Sequence, residues 1–157
     1  MVGSKMVLQK GEMAPDFSLK DHEGKEFKLS DVRGKRVLLS FHPLAWTGIC
    51  AKQMQSLEDN ADLFESLNTV PVGISIDSVP TKKAWGANLG ITKVILLSDF
   101  WPHGGVAKLY GLFREKDGFS ERANVILDES GKVVFSKVYK IEQLPDIQEI
   151  VEILKSV

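Results

Sequence analysis

The single cysteine of the chain, Cys50, closes the run Phe41-His42-Pro43-Leu44-Ala45-Trp46-Thr47-Gly48-Ile49-Cys50. An apolar run, Val37 to Phe41, precedes it, and a long helical pattern follows it. A strand, a loop containing Pro and Gly, then a helix opening near a cysteine can build a reactive thiolate. Unpaired backbone N–H groups and the positive end of the helix dipole favour the charged sulfur. Thr47 stands three residues before Cys50, within one helical turn. Its hydroxyl can cap the helix, or it can hold the sulfur or a substrate oxygen. Pro43 either ends the strand or screens the thiolate from water. Gln53, one turn on, reads more readily as a solvated helix residue than as a ligand. A thiolate also gains from a fixed cation, and arginine keeps its charge at all relevant pH. Arg33, Arg36, Arg114 and Arg122 are the candidates, and spacing does not choose among them. Arg122 precedes a strand that would hold it rigidly, but it equally reads as a surface residue after a flexible loop, Glu115 to Ser120. Cys50 itself has a plain alternative. Free cysteine often behaves as a small buried hydrophobe, and Cys50 lies on the apolar face of its helix.

His42 and His103 are the remaining metal-ligand types of interest. With Cys50 they form no CxxC or HxxxH pair, so no metal site is expected and structural roles are preferred. Trp46, Trp85 and Trp101 read as core aromatics. The segment Ser98-Asp99-Phe100-Trp101-Pro102-His103 nevertheless puts Phe100 and Trp101 in a loop, either folded over the core or used at an interface.

The flanking pattern supplies the elements that must position these groups. Phe17/Leu19 and Phe27/Leu29 alternate around the turn Asp21-His22-Glu23-Gly24, which predicts a β-hairpin. Ser30 caps a short helical turn ending at Gly34. Val37 to Phe41 is short enough for a strand buried on both faces. Cys50, Met54, Leu57, Ala61, Phe64 and Leu67 recur at spacings of four and three, so a helix is predicted from about Gly48 to Leu67. Val70 to Ile76 is the next strand, and Pro80 to Leu89 is a helix ended by Gly90. Val94 to Leu97 is a strand, and Pro102 to Tyr110 a short helix. Ala123 to Leu127 and Lys132 to Tyr139 are strands joined by the turn Asp128-Glu129-Ser130-Gly131. Pro145 or Asp146 opens the last helix. Strands alternating with helices give parallel neighbours, and the late hairpin adds antiparallel ones. The expected fold class is α/β: a thioredoxin-like fold, with a central mixed sheet, helices on both faces and an N-terminal β-hairpin extension.

With 157 residues, the chain is long enough for one well-buried core. A net charge of −1 gives no reason to expect nucleic acid or an anionic membrane as partner. One cysteine excludes an internal disulfide and fits a reducing, cytoplasmic compartment. No apolar run approaches the length of a transmembrane helix, and no signal-peptide core is present. A second methionine at position 6 suggests that residues 1–5 are a non-native remnant or a disordered N-terminus, followed by one domain over 6–157.

Pro43-Leu44-Ala45-Trp46-Thr47-Gly48-Ile49-Cys50 resembles the Pro-x-x-x-Thr-x-x-Cys active-site motif of the peroxiredoxins, the AhpC/TSA superfamily. Ala14-Pro15-Asp16-Phe17 resembles the opening motif of that family. Glu121-Arg122-Ala123, with the strand and turn after it, resembles its arginine segment. The resemblance covers residues 9–157. The Cys50 segment and Leu96-Leu97-Ser98-Asp99-Phe100-Trp101-Pro102-His103-Gly104 are most similar to the one-cysteine alkyl hydroperoxide reductase E type. The resemblance implies that Cys50 is the peroxidatic thiolate, Thr47 orients peroxide, Pro43 shields the pocket and Arg122 is the cation. Gln53 stands where the family usually carries Glu, Gln or His, a supporting position. It implies a peroxide substrate, no cofactor, and a homodimer for which Phe100 and Trp101 are the candidate interface. The departure is the resolving cysteine. Relatives often carry one five residues after the first, where this chain has Gln55, and no tail cysteine replaces it. An external thiol or a redoxin protein is therefore expected to recycle Cys50. A thioredoxin-like thiol–disulfide oxidoreductase is the alternative enzyme, weakened by the missing CxxC. A non-catalytic holdase or interaction module is the alternative of another kind.

Overall fold

A computed structural model of the chain describes residues 6–157, so the expectation for residues 1–5 lies outside the described residues. The predicted opening hairpin is formed by β1 (Ser18–Asp21) and β2 (Glu26–Lys28). Asp21 shapes its turn by accepting hydrogen bonds from the N–H groups of Glu23 at 2.8 Å and Lys25 at 3.0 Å. A short 3₁₀ turn (Leu29–Val32) leads to β3 (Arg36–Phe41). Then come α1 (Gly48–Asp59), α2 (Ala61–Ser66), β4 (Thr69–Ser75), α3 (Val79–Leu89), β5 (Ile95–Ser98) and α4 (Gly105–Leu109). A small hairpin of β6 (Phe113–Arg114) and β7 (Phe119–Ser120) precedes β8 (Arg122–Leu127), β9 (Val133–Tyr139) and α5 (Ile147–Ser156).

Seven strands make one mixed sheet in the order β2-β1-β5-β4-β3-β8-β9. The central strands β3, β4 and β5 run parallel, while β8 lies antiparallel to β3 and β9 antiparallel to β8. Side chains alternate across the sheet, as period 2 requires. Leu39 and Phe41 of β3 join Phe17, Val106 and Tyr110 on the α4 face. Leu38 of the same strand joins Met54, Phe64, Trp85 and Ile150 on the face covered by α1, α2, α3 and α5. The thioredoxin-like plan, with helices on both faces, is therefore what the chain adopts.

Several predicted elements differ: Ser30 lies inside the 3₁₀ turn and does not cap it, the short helix begins at Gly105 and not at Pro102, and two further differences have a clear local cause. The helix expected to continue to Leu67 breaks at Asn60, whose φ of −107° and ψ of 12° leave the helical region. Its side chain donates to the Ser56 carbonyl at 2.8 Å, the local competition with backbone bonding that makes Asn a poor mid-helix residue. The segment Glu115 to Ser120, expected to be a flexible loop, belongs to the β6–β7 hairpin. Arg114 clasps it, with Nε 2.6 Å from Asp117 and Nη1 2.9 Å from Glu121. The last helix opens at Asp146, which accepts from the Gln148 N–H at 2.9 Å.

Candidate active site

Three elements converge on Cys50. Strand β3 ends at Phe41, and the chain then rises through Pro43 to Trp46 above the sheet edge. Trp46 takes φ of 68°, a left-handed conformation uncommon for a residue with a Cβ. It turns the chain so that Thr47, extended at φ −115° and ψ 153°, occupies the N-cap position of α1. Cys50 is thus in the first turn of a twelve-residue helix, and it is fully buried. Strand β8 supplies the third element. Its register puts Ala123 opposite Phe41 and Asn124 opposite Ser40, which brings Arg122 to the level of the Cys50 turn.

Arg122 decides among the four arginines. Its Nη1 donates to Cys50 Sγ at 3.3 Å and to Gln53 Oε1 at 2.8 Å, and its Nε donates to the Ile141 carbonyl at 2.8 Å. The residue is 3% exposed, so the reading of Arg122 as a surface residue fails. Arg36 instead donates to the Leu154 and Val157 carbonyls at 2.6 Å each and anchors the end of α5. Arg114 serves the hairpin, and Arg33 packs beside Gly131.

Gln53 corrects the sequence reading. It is 2% exposed rather than solvated. Its amide nitrogen donates to Ser40 Oγ at 2.7 Å and to the Phe41 carbonyl at 3.2 Å. The Ser40 hydroxyl donates on to Asn124 Oδ1 at 2.7 Å. A buried polar chain therefore runs from the thiol through Arg122 and Gln53 into β3 and β8. Ser40 and Asn124 escaped the sequence analysis, although both are polar residues at the buried centre of apolar strands.

Thr47 also departs from expectation. Its side chain makes no capping hydrogen bond. Its hydroxyl donates to the Leu44 carbonyl at 2.8 Å, which spends its one hydrogen and leaves lone pairs for an incoming O–H. Thr47, Pro43 and Arg122 line one open depression of about 300 Å³ with Leu44, Phe119 and Ile141. Phe119 and Ile141 were not anticipated, because a hairpin and a loop distant in sequence bring them there.

His42 is fully buried. Its Nδ1 lies 3.3 Å from the Ser40 carbonyl and its Nε2 lies 2.7 Å from Lys82 Nζ. Burial, reinforced by the Lys82 charge, holds its imidazole well below the usual histidine range. Among the described residues no group of three or more His, Cys, Asp or Glu side chains converges. Trp85 is a core aromatic as expected, but Trp46 and Trp101 are 55% and 78% exposed. Phe100 is 54% exposed beside Trp101.

The AhpC/TSA family pattern matches residues 10–136, which is most of the chain. The chain belongs to the AhpC/TSA family. This AhpC/TSA-family protein is 40% identical over 141 residues to alkyl hydroperoxide reductase E of Mycobacterium tuberculosis (strain ATCC 25618 / H37Rv), a match covering 89% of this chain and 92% of that one. It is 37% identical over 130 residues to a thiol peroxidase of Streptococcus agalactiae, covering 83% and 77% of the two chains. Its backbone resembles the crystal structure of peroxidoxin BcpB from Mycobacterium tuberculosis, with a TM-score of 0.84 at 25% identity over 96% and 98% of the two chains. Enterococcus faecalis AhpC shares the fold, with a TM-score of 0.88 at 23% identity over 96% and 92%. An alkyl hydroperoxide reductase and a thiol peroxidase are thus among the relatives of this AhpC/TSA-family protein. No helix among the described residues is long and apolar enough to cross a membrane.

Proposed function

We propose that this protein, as one domain over residues 6–157, is a thiol-dependent peroxidase that reduces hydrogen peroxide and alkyl hydroperoxides through Cys50 alone. The observation that carries the reading is the 3.3 Å approach of Arg122 Nη1 to Cys50 Sγ in the first turn of α1. A sulfur in that position accepts from a permanent cation and faces the open N–H groups of the helix, the contacts a nucleophilic sulfur uses.

The thiolate attacks the terminal oxygen of a peroxide R–O–O–H held in the depression. The S–O bond forms as the O–O bond breaks in line. Cys50 becomes sulfenic acid, and the leaving RO⁻ takes a proton from water to give ROH, or water when R is hydrogen. Thr47 accepts the peroxide O–H, since its own hydrogen is committed to Leu44. Arg122 donates to the oxygen on which charge develops, a contribution of the kind worth about 3 kcal/mol when removed. Pro43 walls the loop side and removes an N–H that would otherwise bind water.

The chain has one cysteine, so the sulfenic acid is returned by external thiols. A first thiol displaces water to give a mixed disulfide, and a second releases Cys50 as the thiol. Small-molecule thiols and redoxin proteins both supply that chemistry, and both belong to a reducing, cytoplasmic setting. The exposed pair Phe100 and Trp101 supports a homodimer through that loop.

The test is stopped-flow oxidation of the reduced protein by hydrogen peroxide and an alkyl peroxide, followed by candidate thiols, with mass spectrometry of Cys50. One added oxygen on Cys50 that disappears with thiol is expected. A Cys50→Ser protein that consumes peroxide at the original rate removes the reading.

A further inference from the structure

Lys82 is a fully buried amine among the described residues. It lies on α3, and the chemistry above does not use it. Lysine is almost never fully buried without a charged partner. Here its Nζ has neutral partners: His42 Nε2 at 2.7 Å, Ser75 Oγ at 2.8 Å and the face of Trp85 at 5.0 Å. Their directions are fixed. The Ser40 carbonyl can only accept, so His42 carries its hydrogen on Nδ1 and turns a lone pair to Lys82. Ser75 spends its hydrogen on Asp77 Oδ2 at 2.6 Å, so its oxygen accepts from Lys82. The same Asp77 oxygen accepts the Ala45 N–H at 2.8 Å. One amine thus connects the residue after β3, the end of β4 and the middle of the loop that holds Pro43, Leu44 and Thr47.

We propose that Lys82 is a positioning residue of the Cys50 site, tying the ends of β3 and β4 beneath the loop from Pro43 to Thr47 and setting a second positive charge on the face of the sheet that holds Cys50. This rests on the reading of Cys50 as the peroxidatic thiolate. A methionine would fill the same space without burying a charge, so packing alone does not account for the amine.

The charge on this amine changes near neutrality. Burial pushes Lys82 down to about 7, against the pull of the Asp77 carboxylate and of Cys50. The groups that face it are His42 after β3, Asp77 after β4 and Cys50 on α1, with Arg122 on β8 acting on His42. Below that pH the ammonium adds a positive charge near the sulfur and the leaving oxygen. Above it the neutral amine still has two N–H bonds, one for His42 and one for Ser75. The loop therefore keeps its geometry while the site loses a charge.

The experiment measures the rate constant of Cys50 oxidation by hydrogen peroxide across pH, divided by the thiolate fraction from ultraviolet absorbance. In the wild-type protein the ratio should fall by about tenfold as pH rises through Lys82, the order of effect expected when one nearby charge is lost. Lys82→Gln keeps a donor for His42 but carries no charge, so its ratio should be flat at the high-pH wild-type level. Lys82→Met also loses the donor, so its ratio should be flat and lower still. A folded variant of either kind with the wild-type profile and rate overturns the proposal. Ser75→Ala covers the case in which both lysine variants fail to fold. It cuts the link to Asp77 and Ala45 but keeps the charge, so it should react more slowly with the pH fall retained. A wild-type rate for Ser75→Ala overturns the positioning role. If the wild-type protein consumes no peroxide, the peroxidase reading fails separately. Alkylation of Cys50 by iodoacetamide across pH still reads the charge, since Lys82→Gln should change the shape of that rate profile and an unchanged profile removes Lys82 from the site.

Discussion

Gln53 Oε1 shares the donor of Cys50 Sγ: Arg122 Nη1 lies 2.8 Å from the amide oxygen and 3.3 Å from the sulfur. The two acceptors stand one turn apart on α1, so the helix presents both to a single guanidinium nitrogen. Because Gln53 is itself held by Ser40 and the Phe41 carbonyl, it fixes where the cation sits before any substrate arrives. The site is preorganised through an uncharged residue, which leaves the positive charge of Arg122 for the sulfur.

Replacing Gln53 tests that arrangement. Gln53→Met keeps the shape but removes one acceptor from Arg122 and the donor to the Ser40 hydroxyl and the Phe41 carbonyl. A loss of about 1–3 kcal/mol in stability is expected from unmade buried hydrogen bonds. A guanidinium released from its second anchor should also slow Cys50 oxidation by about tenfold, which corresponds to about 1.4 kcal/mol. Urea unfolding and stopped-flow oxidation read the two effects. Unchanged oxidation in a stable variant would show that Ile141 alone suffices to hold Arg122.

Much of this site could be read in the sequence, and the reasons for the remainder are physical. The position of Cys50 followed from local rules, because a helix period and a Pro/Gly loop are short-range signals. The two hairpins flanking the parallel strands followed from their turn residues in the same way. The choice of Arg122 over Arg36 and Arg114 depended on which strands become neighbours, and β8 pairs with β3 across more than eighty residues of chain. Gln53 looked solvated because a polar residue on a helix usually is. Its burial follows from Ser40 and Arg122, which only the fold brings to it. The break at Asn60 was a local signal outweighed by the apolar pattern that continues through Phe64. Lys82 shares a helical face with Trp85, Gly86 and Leu89, a short-range signal that lysine's usual preference for solvent outweighed.

Gly73 on β4 sets how closely α1 lies on the sheet. A Cβ there would collide with Met54 Sδ and come within 3.2 Å of Leu96 and 3.3 Å of His42. Met54 is one turn beyond Cys50 and has no exposed surface to retreat towards. Gly73→Ala should therefore cost about 1–3 kcal/mol, as overpacking of a filled core does. It should also slow peroxide oxidation, because the helix that carries Cys50 must shift. A variant with wild-type stability would mean that Met54 repacks without moving α1, and its oxidation rate would then stay unchanged.

The Phe100–Trp101 loop predicts an assembly. Two large aromatics at 54% and 78% exposure form an apolar patch that a dimer would cover. Trp101→Glu places a charge in that patch and should convert a dimer to a monomer in sedimentation velocity at micromolar concentration. Cys50 oxidation in the monomer should persist, since Arg122, Gln53 and Thr47 all come from one chain. A wild-type protein that is monomeric throughout that range would refute the interface.

Asp99, at the root of the same loop, predicts a pH dependence of stability. Its carboxylate accepts the N–H groups of Val106 at 3.0 Å and Ala107 at 2.9 Å, which starts α4. Burial raises its pKa to about 6, only partly offset by those N–H groups. The folded chain therefore holds this proton more tightly than the unfolded chain does. Between the ordinary carboxylate value and about 6 the native state binds more protons, so stability falls as pH rises through that window. The cost is complete above it and amounts to about 3 kcal/mol. Asp99→Asn cannot titrate, so the difference in unfolding free energy between wild-type and variant should drift by that amount across the window and stay level above it. Urea titrations at a series of pH values measure the difference directly. A constant difference would mean that the two N–H groups compensate the burial and that Asp99 is ionised throughout.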